Sequence, residues 1–224
     1  MARPSRSKHL PYFALLEALT APGCALCHLA AAAAGRYIRS LCWEYVNDDG
    51  ARRRLRASGG LCRDHTRALE AWATPLTRAL LSDDLLAQFE RELSEWEQGR
   101  SPRPADDVCP ACEAADRQQA RSRRILVEFF DEPEFVEVWQ ASAGFCRPHT
   151  RSVLSALPTA ARRRFARRDR ERLAALRQEL AEVRRKNDYR FADEPWGEER
   201  TSPSRALARL CGEAETATRP PNRG

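Results

Sequence analysis

Two stretches of this chain are copies of one another, and that duplication limits the fold more than any other feature of the sequence. CALC at 24–27 aligns with CPAC at 109–112, and ASGGLCRDHTR at 57–67 aligns with ASAGFCRPHTR at 141–151, where eight of eleven positions are identical. Between these signatures Arg36, Arg39 and Leu41 match Arg121, Arg124 and Leu126 at an offset of 85. The offset then becomes 84, so one residue has been gained or lost, and Tyr45 falls opposite Phe129 and Leu55 opposite Trp139. Both copies are therefore expected to fold as the same supersecondary unit.

Each copy reads as helix, short helix, helix. In the first, Leu26, Ala30, Ala33, Tyr37 and Leu41 recur at helical spacing from Cys24 to about Val46. NDDG at 47–50 breaks that helix, a short amphipathic piece runs to Ala57, and a new helix is entered at Cys62. In the second copy Asp131 to Pro133 forms the break. The first copy continues through Pro75 into a segment bearing Leu and Phe, Leu80 to Glu97, after which GRSPRPADD at 99–107 reads as a linker. Pro158 opens a long helix to about Asp188; FADEPWGEERTSPS at 191–204 reads as irregular, and the closing ATRPPNRG as a flexible tail. Composition points the same way, because Ala, Leu, Arg and Glu dominate, Gly is scarce and β-branched residues are few. The expectation is an all-α fold made of two repeated helical units and a long C-terminal helix. In numbers it is a single helical domain over 9–192, with unit one at 24–69, unit two at 109–154 and the long helix at 158–189. A C-terminal strap and tail follow over 193–224.

The repeat also carries the chemistry. Each copy supplies C-x2-C and, some 34 residues later, C-x2-H: Cys24, Cys27, Cys62 and His65 in one, Cys109, Cys112, Cys146 and His149 in the other. Three thiolates and one imidazole make a closed tetrahedral set, the donor pattern of structural zinc, with no position left open for a catalytic water. Pro110 directly after Cys109, and Pro148 two after Cys146, place both signatures at helix N-termini with the first Cys as cap. There, free N–H groups and the helix dipole stabilise thiolates. Gly60 and Gly144, two residues before the third Cys, allow the backbone to bend close to the sulfur. Two structural zinc ions per chain are expected. Spacing leaves open whether each site is built within one copy or shared across the two. CALCH at 24–28 also matches a haem-attachment pattern, but the second copy reads CPACE. A C-x-x-C redox couple lacks a βαβ context, and a Cys3His iron–sulfur cluster is a further, less common alternative. Cys42 and Cys211 have no repeat partner, and Cys42 reads as a buried thiol. His9 and His28 read as surface or packing residues.

The paired CxxC…GxCxxH units, followed by a long helix ending in KNDYRFADEPWGEE at 186–199, resemble a prokaryotic family of unknown function. In that family CPxC…GxCxxH occurs twice and (K/R)xDYRF…EPxGEE follows; the resemblance runs from about Cys24 to Gly212. Ala25 stands where the first proline is expected. The resemblance implies no activity.

Arg163, Arg164, Arg167, Arg168, Arg184 and Arg185 lie on the 162–186 helix beside a Leu173, Leu176, Leu180, Val183 stripe. They read as a surface for nucleic acid or an acidic partner, or as a solvated face paired with nearby carboxylates. The 188–199 segment reads as a strap pinned to the core by Tyr189, Phe191 and Trp196. Asp83–Asp84 and Asp106–Asp107 read as helix-start and linker charges. No catalytic triad or phosphate-binding loop is present, and two of the four histidines are in the metal signatures. No small-molecule substrate is identifiable, and no residue marks the chain as an enzyme. No apolar run approaches the ~20 residues of a membrane span, and Pro11 and Glu17 interrupt the apolar stretch near the N-terminus. Cytoplasmic residence, where thiols stay reduced, is expected. The function expected is a non-catalytic zinc-stabilised binding or scaffold module with a protein partner. The alternatives are a regulator contacting nucleic acid and a thiol-redox zinc switch.

Overall fold

The computed structural model describes residues 8–102, 108–191 and 193–212. Among them are ten α-helices, two short 3-10 segments and no strand, so the fold is all-α. The helices are α1 (Leu10–Thr20), α2 (Ala25–Trp43), α3 (Asp49–Ala57), α4 (Arg63–Trp72), α5 (Pro75–Glu97), α6 (Pro110–Phe129), α7 (Pro133–Ala141), α8 (Arg147–Ala156), α9 (Thr159–Lys186) and α10 (Ser202–Cys211).

The repeat is visible in where helices begin. α6 starts 85 residues after α2, while α7, α8 and α9 each start 84 after α3, α4 and α5. The missing residue lies at the first break, which has five residues (44–48) in the first copy and three (130–132) in the second, while α6 is one residue longer than α2. The correspondence also extends further than the sequence signatures: α5 is the counterpart of α9, each entered two residues after a buried anchor, Ala73 or Leu157.

Two compact units emerge, and they do not follow the repeat boundary. One takes the described residues of Met1–Leu29 and Gln119–Ala214, the other those of Ala30–Gln118. In the first, the core is aromatic. Tyr12, Phe129, Phe130, Phe135, Trp139, Phe145 and Phe165 are buried with Leu15, Leu19, Leu126, Val153 and Leu157. Phe165 of α9 stacks on Trp139 at 5.2 Å and on Phe145 at 6.0 Å between ring centroids, so α9 is keyed into this core by one large side chain. Tyr12 of α1 packs on Phe129 at 4.6 Å and donates its hydroxyl to Glu134 at 3.0 Å.

The second unit has an aliphatic core of Ala30, Ala34, Ile38, Leu41, Leu55, Leu69 and Leu81, closed by Ala111 and Ala115. Cys42 is buried in it, and burial pushes its thiol up to about 11. Asp84 lies in the interior of α5 rather than at a helix start; it accepts both Arg52 Nε and Nη2 at 2.6 Å and Arg56 Nη1 at 2.9 Å. This bidentate clamp ties α3 to α5. Residues 103–107 of the expected linker, with Asp106–Asp107, and the tail from 213 lie outside the described residues.

The C-terminal strap differs from expectation in two ways. It carries α10 and short 3-10 turns at Tyr189–Phe191 and Glu198–Thr201, and α10 packs on α8 and α9. Its aromatics also do not enter the core, since Tyr189 is 87 % exposed and Trp196 is 42 % exposed. The segment is held instead by charge at the end of α9. Arg185 bonds Glu182 and Glu194 and lies 4.5 Å over Phe191, while Lys186 donates to Glu199 at 2.8 Å and lies 5.9 Å from the Trp196 ring centre.

Candidate metal centres

Every cysteine–histidine signature sits at a helix start. Cys62 caps α4 and Cys146 caps α8 with extended backbone (φ −65°, ψ 166° and φ −62°, ψ 160°), and α2 and α6 begin immediately after Cys24 and Cys109. The residue three positions on from each cap therefore points the same way as the cap, as the spacing required. Gly60 and Gly144 take φ of +103° and +84°, a left-handed turn that only glycine adopts cheaply, and this turn aims the next stretch of backbone at the sulfurs.

The ligands assemble, but not copy by copy. Cys24 and Cys27 meet Cys146 and His149; Cys109 and Cys112 meet Cys62 and His65, with all four donor atoms in each group within 4.8 Å of one another. Each C-x2-C is joined to the C-x2-H of the other copy. Of the two arrangements that spacing left open, the donor groups take the shared one: Cys24 and Cys27 do not group with Cys62 and His65 of their own copy, nor Cys109 and Cys112 with Cys146 and His149. All eight expected residues are used, and each complete set lies inside one compact unit.

The donor distances fit an ion. In the first site the Cys27 and Cys146 sulfurs are 3.7 Å apart, and His149 Nδ1 is 3.4, 3.4 and 3.1 Å from Cys24, Cys27 and Cys146. In the second, Cys62 and Cys112 are 3.8 Å apart, and His65 Nδ1 is 3.1, 3.4 and 3.4 Å from Cys62, Cys109 and Cys112. A tetrahedron with Zn–S of about 2.3 Å and Zn–N of about 2.05 Å has S···S edges of about 3.8 Å and S···N edges of about 3.6 Å. The two groups therefore could each hold a tetrahedral metal ion through Nδ1 and three sulfurs. None of the eight cysteines is in a disulfide.

Surrounding groups favour the thiolate at the first cysteine of each C-x2-C. Hydrogen bonds from Cys146 and Cys27, aided by His149 and the Cys146 backbone N–H, hold the Cys24 thiol far below its ordinary value against the opposing effect of burial. Burial also opposes ionisation of Cys109, but the N–H groups of Cys62, Cys112 and Ala111 outweigh it. The crossing recurs here, because the N–H of each C-x2-H cysteine serves the first cysteine of the other copy. Cys112 moves the other way, pushed up by burial and by its neighbours Cys62 and Cys109. His149 Nε2 faces Gln119 Oε1 at 3.1 Å, an outer contact that fixes the ring with Nδ1 turned to the sulfurs. The first copy has Ala34 at the position equivalent to Gln119.

Of the six arginines expected on a basic surface, three are engaged by neighbouring groups. Arg164 pairs with Asp131 and lies over Phe130, Arg168 bonds Glu171 and the Gln140 carbonyl, and Arg185 is committed to Glu182 and Glu194. Arg163, Arg167 and Arg184 are exposed. Among the described residues no single helix is long and apolar enough to cross a membrane. Only the bent pair of α1 and α2 reaches that length and apolarity in combination, and both helices bury residues in the cores.

Fold and site together define a duplicated all-helical protein with two crossed Cys3His clusters. The chain belongs to the family of unknown function DUF6062, whose model matches residues 94–217. It is also similar to an uncharacterised 23.9 kDa protein in the xynA 3' region of Caldicellulosiruptor sp. (strain Rt8B.4). The two are 26 % identical over 179 residues, which cover 79 % of this chain and 88 % of that protein. No solved structure matches the chain.

Proposed function

We propose that this protein is a non-catalytic helical binding module whose units are each held together by a structural zinc ion, two per chain. The observation that carries this reading is the closed Cys3His geometry: four protein donors leave no coordination position for water or substrate. Zinc fits the tetrahedral edges and the mixed sulfur–nitrogen donors, and reduced cysteines accord with a cytoplasmic setting.

The partner surface lies on α5. Leu86, Phe89, Leu93 and Trp96 are 65, 55, 51 and 61 % exposed and recur at the three-and-four spacing of a helix-packing seam. Glu90, Glu92, Glu95 and Glu97 against Arg91 make its flanks acidic. The occupant this favours is an amphipathic partner helix with basic flanks, laid along the seam. A Leu/Lys amphipathic peptide should bind at low salt and lose affinity on Phe89→Ser, whereas a Leu/Glu peptide should not bind.

The zinc reading is tested by metal removal. Because the ligands come together only in the folded chain, binding energy is folding energy. Native mass spectrometry should find two zinc ions, and complete chelation should abolish the cooperative melt seen by circular dichroism. An unchanged spectrum and melt after demonstrated removal of all metal would refute the structural role. A second reading has narrower support: Arg163, Arg167 and Arg184 remain exposed on α9 for a nucleic-acid contact. That contact should weaken steeply with salt, and no shift with DNA or RNA at low ionic strength would end it.

A further inference from the structure

A cavity of about 650 Å³ opens in the unit that contains α9 and α10, bounded by those helices and by the turns leading into α2 and α8. That is the size of a pocket for a drug-sized molecule. Much of its wall is apolar, from Phe145, Leu173, Leu176 and Ala208. Two guanidinium groups, Arg172 and Arg209, also line it, with only 10 % and 12 % of their side-chain surface exposed.

The charges there do not balance. Arg172 and Arg209 share one buried carboxylate, Asp169: Arg209 Nη2 bonds its Oδ1, and Arg172 Nη1 is 3.8 Å from the same atom. Arg172 Nη2 is held by the Trp139 carbonyl, and the guanidinium lies 5.1 Å over the Trp139 ring. Arg172 Nε and Nη1 and Arg209 Nη1 have no hydrogen-bond partner among the described residues. The other ion pair on the wall, Arg205 with Glu179, closes on itself. Before the cysteine–histidine donors on the same wall are counted, one positive charge is left over, and burial pulls Arg172 down to about 10. The turn is built to admit these groups. A Cβ on Gly144 would lie 3.1 Å from Arg209 Nη1 and 3.2 Å from Arg172 Cδ.

A buried cation without a counter-charge is costly, and a guanidinium fork matches a carboxylate. One excess charge suits a monoanion, and the apolar wall suits a hydrocarbon body. We propose that this cavity binds a small amphiphilic monocarboxylate, its head group at Arg172 and Arg209 and its body against Leu173, Leu176 and Phe145. The inference goes beyond the zinc-module reading and does not require it. Cys24 and Cys146 line the same cavity, however, and a Zn²⁺ ion bound by three thiolates would carry one net negative charge, so the test must separate the two compensations.

The test is calorimetric titration of the full chain, at measured metal content, with decanoate, decanol and acetate. Decanoate should bind saturably at one per chain, with decanol and acetate at least about tenfold weaker. Arg209→Met leaves Arg172 and Asp169 as a neutral pair, so it should keep helicity and metal while weakening decanoate at least about tenfold. Ala208→Trp, which adds bulk to the cavity wall while keeping both arginines, should block binding as well. Absence of saturation by about 1 mM decanoate, or equal binding of decanol, would overturn the proposal. So would an Arg209→Met protein that binds decanoate like the parent, including one that instead loses metal from the Cys24–His149 site, because the guanidiniums would then serve the metal.

Discussion

The crossed ligand sets can be tested by choosing which two cysteines to remove. Cys24→Ser with Cys146→Ser strikes one site twice, since both residues belong to the group with Cys27 and His149. Cys24→Ser with Cys62→Ser strikes each site once. Structural zinc in small domains binds with about 10–16 kcal/mol, so each of four ligands carries roughly 2.5–4 kcal/mol, or about two to three decades in affinity. The first double variant should therefore keep one site at native affinity and lose the other by about four to six decades. The second should have two sites, each weakened by about two to three decades. Competition with a chelator of intermediate affinity, read by native mass spectrometry, turns this into a count: one tight zinc for Cys24→Ser/Cys146→Ser, none for Cys24→Ser/Cys62→Ser. Sites built within each copy would give the opposite result, and observing it would refute the crossed geometry.

Three further outcomes follow from the structure. Gly144→Ala places a side chain at φ +84° and 3.1 Å from Arg209 Nη1, so it should cost about 1–3 kcal/mol in urea denaturation. Gly99→Ala, at φ +71° with nothing within 4 Å, is the control, and equal losses in the two would discount the contact. In metal-loaded protein a thiol-alkylating reagent should modify Cys211, which is exposed, while Cys42 stays protected by burial and a thiol pushed up to about 11; mass spectrometry of the intact chain should show a single adduct, rising to eight after chelation and unfolding. The Tyr12 hydroxyl is raised to about 12 by burial and by its hydrogen bond to Glu134. Because the folded value lies above the unfolded one of about 10, its contribution is complete below pH ~10 and is lost as pH rises through about 12. Tyr12→Phe should flatten the fall in stability over that window, and an equally steep fall would place the titrating group elsewhere.

Much of the local architecture could be read in advance for a simple reason: the signals are short-range. Prolines at first turns, cysteine caps and apolar residues at helical spacing act within a few residues, and they mark α2, α4, α6, α8 and α9 close to where they lie. What failed was reading the burial of single side chains. Tyr189, Phe191 and Trp196 suggested a strap anchored in the core; instead, charge–ring contacts at the end of α9 hold that segment. The paired guanidiniums around Asp169 were hidden in the sequence because Arg172 and Arg209 lie on different helices.

The sequence by itself determined the repeat, the helical class, the eight cysteine and histidine residues that cluster and the helix ends that present them. It could not determine which donors meet. α2 carries the chain about 28 Å away from Cys24 over its 19 residues, and the five residues after it, the nine-residue α3 and four more before Cys62 can span the same distance back. Spacing therefore permits either pairing. Tertiary burial made the choice: Ala25 and Leu26 at the start of α2 are buried in one core with Phe145 and Val153, and Ala111 and Ala115 at the start of α6 in the other with Leu55 and Leu69. Hydrophobic area grows with every apolar residue covered, whereas a metal site needs only four atoms in place. The first turns of α2 and α6 thus go where their apolar faces are covered best, and the sulfurs they carry meet the histidine of the other copy.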